Sequence, residues 1–348
     1  MIRHVNKTQL AKMVEEASSS LPSPLVLKTD GIQTLPSFVT PNHIVYTDLC
    51  ETTVLLLQLA LATEECKKLK KKARKLLLLQ TLTAQNLKRL NLDSASRLIE
   101  KMEEEGKDLH TFLTENSTEL DMQILMMFLV GHEIQHAIFR NDRELLEQEI
   151  KDVAVLGEIY RIPHTFREKK MFPYAPEICS DKKLMEELAC DKASIRMLAR
   201  FIEGLGYNTQ QVHEMCILLV RFLTMIQFEK NLHELIDFTY TMSSLSLHVK
   251  NLMFDVMRVG SVARFMAKTF EPEALEDFRN ILINEVSSFD QVLSDAAKFG
   301  LRDWWLLNTM QADKKEKDAD KYKLLCQRFK EVSIVVGETI TNNINVCN

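Results

Sequence analysis

The chain has 348 residues, 46% of them apolar and 27% charged, so it can bury a sizeable core and is not a disordered sequence. Nine glycines and eight prolines are too few for the many tight turns of a barrel or sandwich, which excludes a mainly β fold and leaves a mostly α one. The net charge of -5 argues against a general nucleic-acid binder.

The N-terminal stretch MIRHVNKTQLAKMVEEASSS is polar and lacks the apolar core of a signal peptide. The first 50 residues hold four prolines and two extended-looking pieces, LVLKT (25–29) and HIVYT (43–47). These are the best β candidates and are expected to be edge strands of a small sheet. From Glu51 to about Ser94 there is no Gly or Pro, which predicts one long helix or a helical hairpin. Its apolar run Thr53 to Ala62 is about half the length needed to span a bilayer, so no membrane partner is expected. The basic run Lys67 to Lys75 reads as a solvated helix face compensated by the nearby acidic MEEEGKD, with phosphate binding as the rival reading.

A further helix is expected to start near Asn116, where Asn116 and Glu119 have capping-box spacing, and to run to about Arg140. Another should cover Asp142 to Tyr160. Residues 161–178 carry three prolines and read as a loop. Ser180 or Asp181 should cap the next helix, which stops at Gly204 and Gly206. Helices are then expected after Asn208, over LHVKNLMFDVMRV, and from Pro272 to about Met310. The final VSIVVGETITNN suits either a strand or a frayed tail. The working division is 1–115, 116–207 and 208–348. Seven cysteines with no CxxC pair suit a reducing compartment, and the sequence reads as cytoplasmic.

Chemistry concentrates in His132-Glu133-Ile134-Gln135-His136. On a helix, i and i+4 share a face, so the two imidazoles can hold one Zn²⁺. Glu133 projects about 100° away and suits a general base acting on a water rather than a ligand. Leu125, Phe128, Leu129, His132, His136 and Phe139 form one stripe, so both rings face the core and need partners. A catalytic zinc normally takes a third protein ligand. The candidate is Glu187, in EELACDKAS, with Asp191 one turn later inside the apolar stripe Leu184, Leu188, Ile195, Leu198 and Ile202. A carboxylate in such a stripe needs a cation or a donor. Glu187 would ligate the metal and Asp191 would accept from the free ring nitrogen of a ligating His. Cys190 beside them reads as a buried inert thiol.

HEIQH followed some fifty residues later by ELACD resembles the gluzincin arrangement HExxH…ExxxD. It is similar to intracellular metallopeptidases with an E-x-x-A-D helix, the CAAX prenyl protease and heat-shock protease group and the soluble phage-exclusion peptidase Lit. The resemblance covers residues 119–140 and 181–203. It implies a zincin-like helical core, one zinc on His132, His136 and Glu187, Glu133 as base, Asp191 supporting a ligand, and a protein or peptide substrate. Cys190 stands where those families carry Ala, and the downstream His-Pro…Arg element of the prenyl-protease group is not found. The oxyanion donor is open among Tyr160, His164, Tyr174, Arg196, Tyr207 and His213. The rival readings are a helical interaction protein with a degenerate or structural metal site, and a nucleic-acid effector using Lys67 to Lys75.

Overall fold

The computed structural model describes residues 2–3, 6–19, 21–39, 42–60, 67–113, 120–159, 181–238, 245–271 and 318–344. Among them are eleven helices: α1 (Lys7–Ser18), α2 (Asp48–Ala60), α3 (Lys67–Lys88), α4 (Leu92–Lys107), α5 (Leu109–Leu113), α6 (Met122–Asn141), α7 (Arg143–Ile159), α8 (Lys182–Leu205), α9 (Thr209–Phe238), α10 (Leu245–Phe270) and α11 (Ala319–Ile344). The fold is mostly α. No helix among the described residues is long and apolar enough to cross a membrane.

One continuous apolar core runs from Leu10 to Ile340, through residues of all three stretches of the sequence. Its centre is α2, whose residues from Thr52 to Ala60 are all buried. Helix α3 packs on α2 and α4, and α11 packs on α2, α4 and α5. Helix α11 corrects the expectation of a strand or frayed tail for VSIVVGETITNN. Its β-branched residues do favour strands in isolation. Leu325, Phe329, Val332, Val336 and Ile340 nevertheless recur at helical spacing and are buried, so tertiary packing outweighs propensity. Asp318 starts the helix by accepting the Lys321 N–H at 2.9 Å.

The small sheet is three-stranded, in the order β2 (Val26–Lys28), β4 (His43–Val45), β3 (Ser37–Val39). Strand β4 is parallel to β2 and antiparallel to β3. It is therefore central, whereas the sequence pattern suggests an edge. The edge nearest the site is β3, a strand that the sequence pattern does not announce. Strands β1 (Ile2–Arg3) and β5 (Leu120–Asp121) form a separate parallel pair.

Helix α6 begins at Met122, and the predicted cap at Asn116 and Glu119 lies outside the described residues. Helix α8 is capped by Asp181, whose carboxylate accepts the N–H groups of Lys183 and Leu184. It ends at Gly206, which adopts φ 66°, a conformation glycine takes without steric cost. Helices α6 and α8 lie closely side by side. Gly131 makes this possible: a Cβ there would stand 2.7 Å from Ser194 Oγ and 2.4 Å from Met197 Cε. Ser194, fully buried on α8, donates its hydroxyl to the Phe128 carbonyl at 2.8 Å and so pins the helices beside His132. Helix α10 packs on α8 and α9. Residues of 161–178, and of 272–310, lie outside the described residues.

Candidate metal centre

The i, i+4 spacing on α6 turns His132 and His136 to one side, with their Nε2 atoms 3.1 Å apart and the rings nearly perpendicular. Helix α8 brings Glu187 to the same point. Its Oε2 lies 3.4 Å from His132 Nε2 and its Oε1 lies 3.7 Å from His136 Nε2. Ligand atoms about 2.0–2.1 Å from a tetrahedral ion stand roughly 3.3–3.4 Å apart, and the separations of 3.1, 3.4 and 3.7 Å scatter around that value, the two to Glu187 being taken from different carboxylate oxygens. His132, Glu133 and His136 each offer a ligand atom within 4.8 Å of the others and form a cluster that could hold a metal ion.

Asp191 has no exposed surface, and its Oδ1 lies 2.7 Å from His132 Nδ1. This is a close ion-pair contact without the alignment of a full hydrogen bond. Arg258, on α10, completes the arrangement. Its Nε donates to Asp191 Oδ2 at 2.7 Å and its Nη2 to Asp191 Oδ1 at 2.9 Å. Its Nη1 sits 2.7 Å from Glu187 Oε2. One guanidinium thus grips both carboxylates, in the forked geometry that Arg provides and Lys does not.

The charges explain one another. Burial alone would push His132 down, but Asp191 and Glu187 outweigh it and raise its pKa to about 9. Burial pushes Glu187 up, yet Arg258 and then His132 hold it well below the usual carboxylate range. Asp191, against the same cost of burial, is lowered to about 2 by Arg258 and His132. Cys190 is fully buried with its Sγ 3.4 Å from His136 Nδ1, and burial followed by the charges of Asp191 and Glu187 pushes its thiol up. That is the opposite of an activated cysteine.

Glu133 stands to the side. Its Oε2 accepts the backbone N–H of Phe38 at 2.6 Å. An antiparallel ladder alternates the side to which each residue turns its backbone groups, so Phe38 points this amide away from β4 and toward α6. The cluster opens into a cleft of about 710 Å³. Leu35, Pro36 and Phe38 line it together with Phe128 and Leu129 of α6 and Leu223 and Ile226 of α9. Arg140, Arg143, Glu186 and Arg258 line it too.

The other expected site residues are not brought here. His213 Nδ1 lies 2.7 Å from Glu271 Oε2, and His213 does not line the cleft. Arg196 is exposed and paired with Glu149, and Tyr207 packs against the apolar core. Tyr160, His164 and Tyr174 lie outside the described residues. In the basic run, Lys72 and Lys75 both turn to Glu105 of α4, with Lys72 Nζ at 2.8 Å, so these two are held within the helical layer.

Sequence reasoning missed Arg258 and Phe38. The signal for Arg258 was present: it shares an i, i+4, i+7 stripe with Val262 and Phe265, a charge among core residues like Asp191. Phe38 acts through its backbone and left no side-chain signature. Comparison with known proteins finds no matching family model, no matching curated protein and no matching solved structure.

Proposed function

We propose that the protein is a zinc-dependent peptidase of the gluzincin type. The observation that carries this reading is the meeting of His132, His136 and Glu187, with ring nitrogens and carboxylate oxygens 3.1–3.7 Å apart, and with Glu133 on the same cleft but held aside. Two imidazoles and one carboxylate form a donor set suited to a catalytic zinc. When bound, zinc acidifies water and polarises a carbonyl.

The protein's own residues do the rest. Glu133 is fixed by Phe38 through Oε2, which leaves Oε1 to take the proton of a water as its oxygen attacks the scissile carbonyl carbon. The same carboxyl then gives that proton to the leaving amine. Asp191 holds the Nδ1 side of His132, so Nε2 faces the cleft. Arg258 is a positioning residue: it fixes Glu187 and Asp191 relative to each other. A protein or peptide substrate would lie in the cleft, whose wall beside Glu133 is formed by Leu35, Pro36 and Phe38.

The test is zinc content and cleavage of a peptide library by the full-length protein and two variants. Glu133→Gln should keep stoichiometric zinc and lose cleavage, because the amide cannot accept the proton. His136→Ala should lose both. Full activity in Glu133→Gln would refute the mechanism. A second reading is favoured by the 2.7 Å contact of Arg258 with Glu187. There the guanidinium is the cation of the site, and the molecule is a non-catalytic interaction protein. Untagged protein that takes up no zinc would support it.

A further inference from the structure

We propose that the cleft selects ligands carrying a carboxylate close to the reacting bond, gripped by Arg140 and Arg143. The inference rests on the peptidase reading and adds a substrate class to it. His132, His136 and Arg140 lie at i, i+4 and i+8 on α6, so Arg140 stands one turn, about 6 Å, beyond His136 along the same face. Arg143 opens α7 immediately after it, and both line the cleft that holds the metal cluster.

Both arginines are exposed, and neither has an ion-pair partner among the described residues. Other arginines do: Arg258 has Asp191 and Glu187, Arg196 has Glu149, and Arg328 has Glu103. Among the described residues the acid between them in sequence, Asp142, makes no ion pair with either. Its Oδ1 accepts the Leu145 N–H at 2.9 Å and caps α7. The cleft is thereby polarised. Glu133, Glu186 and Glu187 line it around the two histidines, where Arg258 is already engaged by Glu187 and Asp191, and Arg140 and Arg143 line it with no such partner. A carboxylate near Glu133 and Glu186 meets like charge, whereas one displaced along the cleft meets two forked donors.

Distance sets where that carboxylate belongs. An extended peptide advances about 3.3 Å per residue, so a step of about 6 Å places the acid roughly two residues from the scissile bond. The carboxylate is either an Asp or Glu side group or the C-terminus of the peptide, and both offer the same two oxygens to the guanidinium pair.

The test is binding of a fluorescent positional library of ten-residue peptides to the full-length Glu133→Gln variant. Each position holds Asp or Asn in turn, and each peptide is made with a free or an amidated C-terminus. At low salt, peptides with Asp at one or two adjacent positions should bind at least about fivefold more tightly than their Asn partners. The preference should shrink as salt is added. It should vanish when Arg140→Gln and Arg143→Gln are added, with the melting temperature unchanged. A preference for free over amidated ends instead assigns the carboxylate to a peptide terminus and equally supports the arginine site. Equal binding of all pairs, or a preference that survives loss of both arginines, overturns it. Cleavage of the same peptides by the unmutated, zinc-loaded protein is read separately. A carboxylate preference without cleavage keeps the arginine site and removes the peptidase reading.

Discussion

Helices α2 and α6 are the two most apolar of the described helices, and both carry polar residues into the core. They solve the resulting problem differently. In α2, Thr53 donates its hydroxyl to the Leu49 carbonyl one turn back at 2.7 Å, and Thr52 donates to the Ser333 carbonyl of α11 at 3.0 Å. Neutral hydroxyls meet neutral carbonyls, and the region is inert scaffold. In α6, the local contact of each ring is with the other titratable ring, at 3.1 Å between their Nε2 atoms, and not with a neutral carbonyl. Their partners are Glu187 and Asp191 on α8, and Arg258 on α10. Satisfying buried polar groups with charged side chains from two other helices gives a cluster of charges beside a cleft. The comparison shows that burying polar groups does not by itself make a site. The source and charge of the partners decide.

That difference should be largest when one partner is removed. Arg258→Met keeps most of the volume but leaves Glu187 and Asp191 buried without their cation. It should cost about 3–5 kcal/mol in denaturant unfolding. Gly131→Val comes next, because it forces α8 away from α6 and breaks the Ser194 hydroxyl bond to Phe128. About 1–3 kcal/mol is expected, together with weaker zinc binding. Gly131→Ala should be milder, since the Met197 tip can move and alanine favours the helix.

Asp191→Asn keeps the shape and removes the charge facing His132. Zinc affinity should fall roughly 10–100-fold in competition titrations while the fold persists. Thr53→Val, the matching change in α2, should cost no more than about 1 kcal/mol, because only one neutral bond is lost. A loss as large as that from Arg258→Met would erase the distinction between the two helices.

How much of this was legible in the sequence follows from the range of the interactions. The spacings of His132 with His136 and of Glu187 with Asp191 are local, one helical turn each, and can be read directly. The approach of α8 to α6 is not local, although Gly131 in an otherwise apolar helix marks it in retrospect. Arg258 lies 67 positions beyond Asp191, in a helix with no motif, so its role depends wholly on packing. Strand β3 is three residues long beside Pro36 and exists because β4 offers it a ladder. Helix α11 reads as strand by propensity and is helical because its apolar stripe is covered.

The smallest effect lies in the scaffold. Burial raises the Glu105 carboxyl, but Lys72 and Lys75 outweigh it and lower the group. A depressed carboxyl stabilises the fold above its unfolded pKa and loses that contribution as pH falls through the folded one. Glu105→Gln should therefore cost up to about 1 kcal/mol at neutral pH, and the cost should disappear once the pH has fallen through the lowered pKa of the folded carboxyl. Thermal melts of both proteins across that range would show the gap closing.

X-ray absorption fine structure of the zinc-loaded, untagged protein reads out whether His132, His136 and Glu187 hold the ion. Two imidazole nitrogens at about 2.0–2.1 Å and carboxylate oxygen at about 2.0–2.2 Å are expected, with the imidazole signal collapsing in His136→Ala. A sulfur ligand at about 2.3 Å, drawn from Cys190, or an imidazole signal unchanged by His136→Ala, would contradict that ligand set.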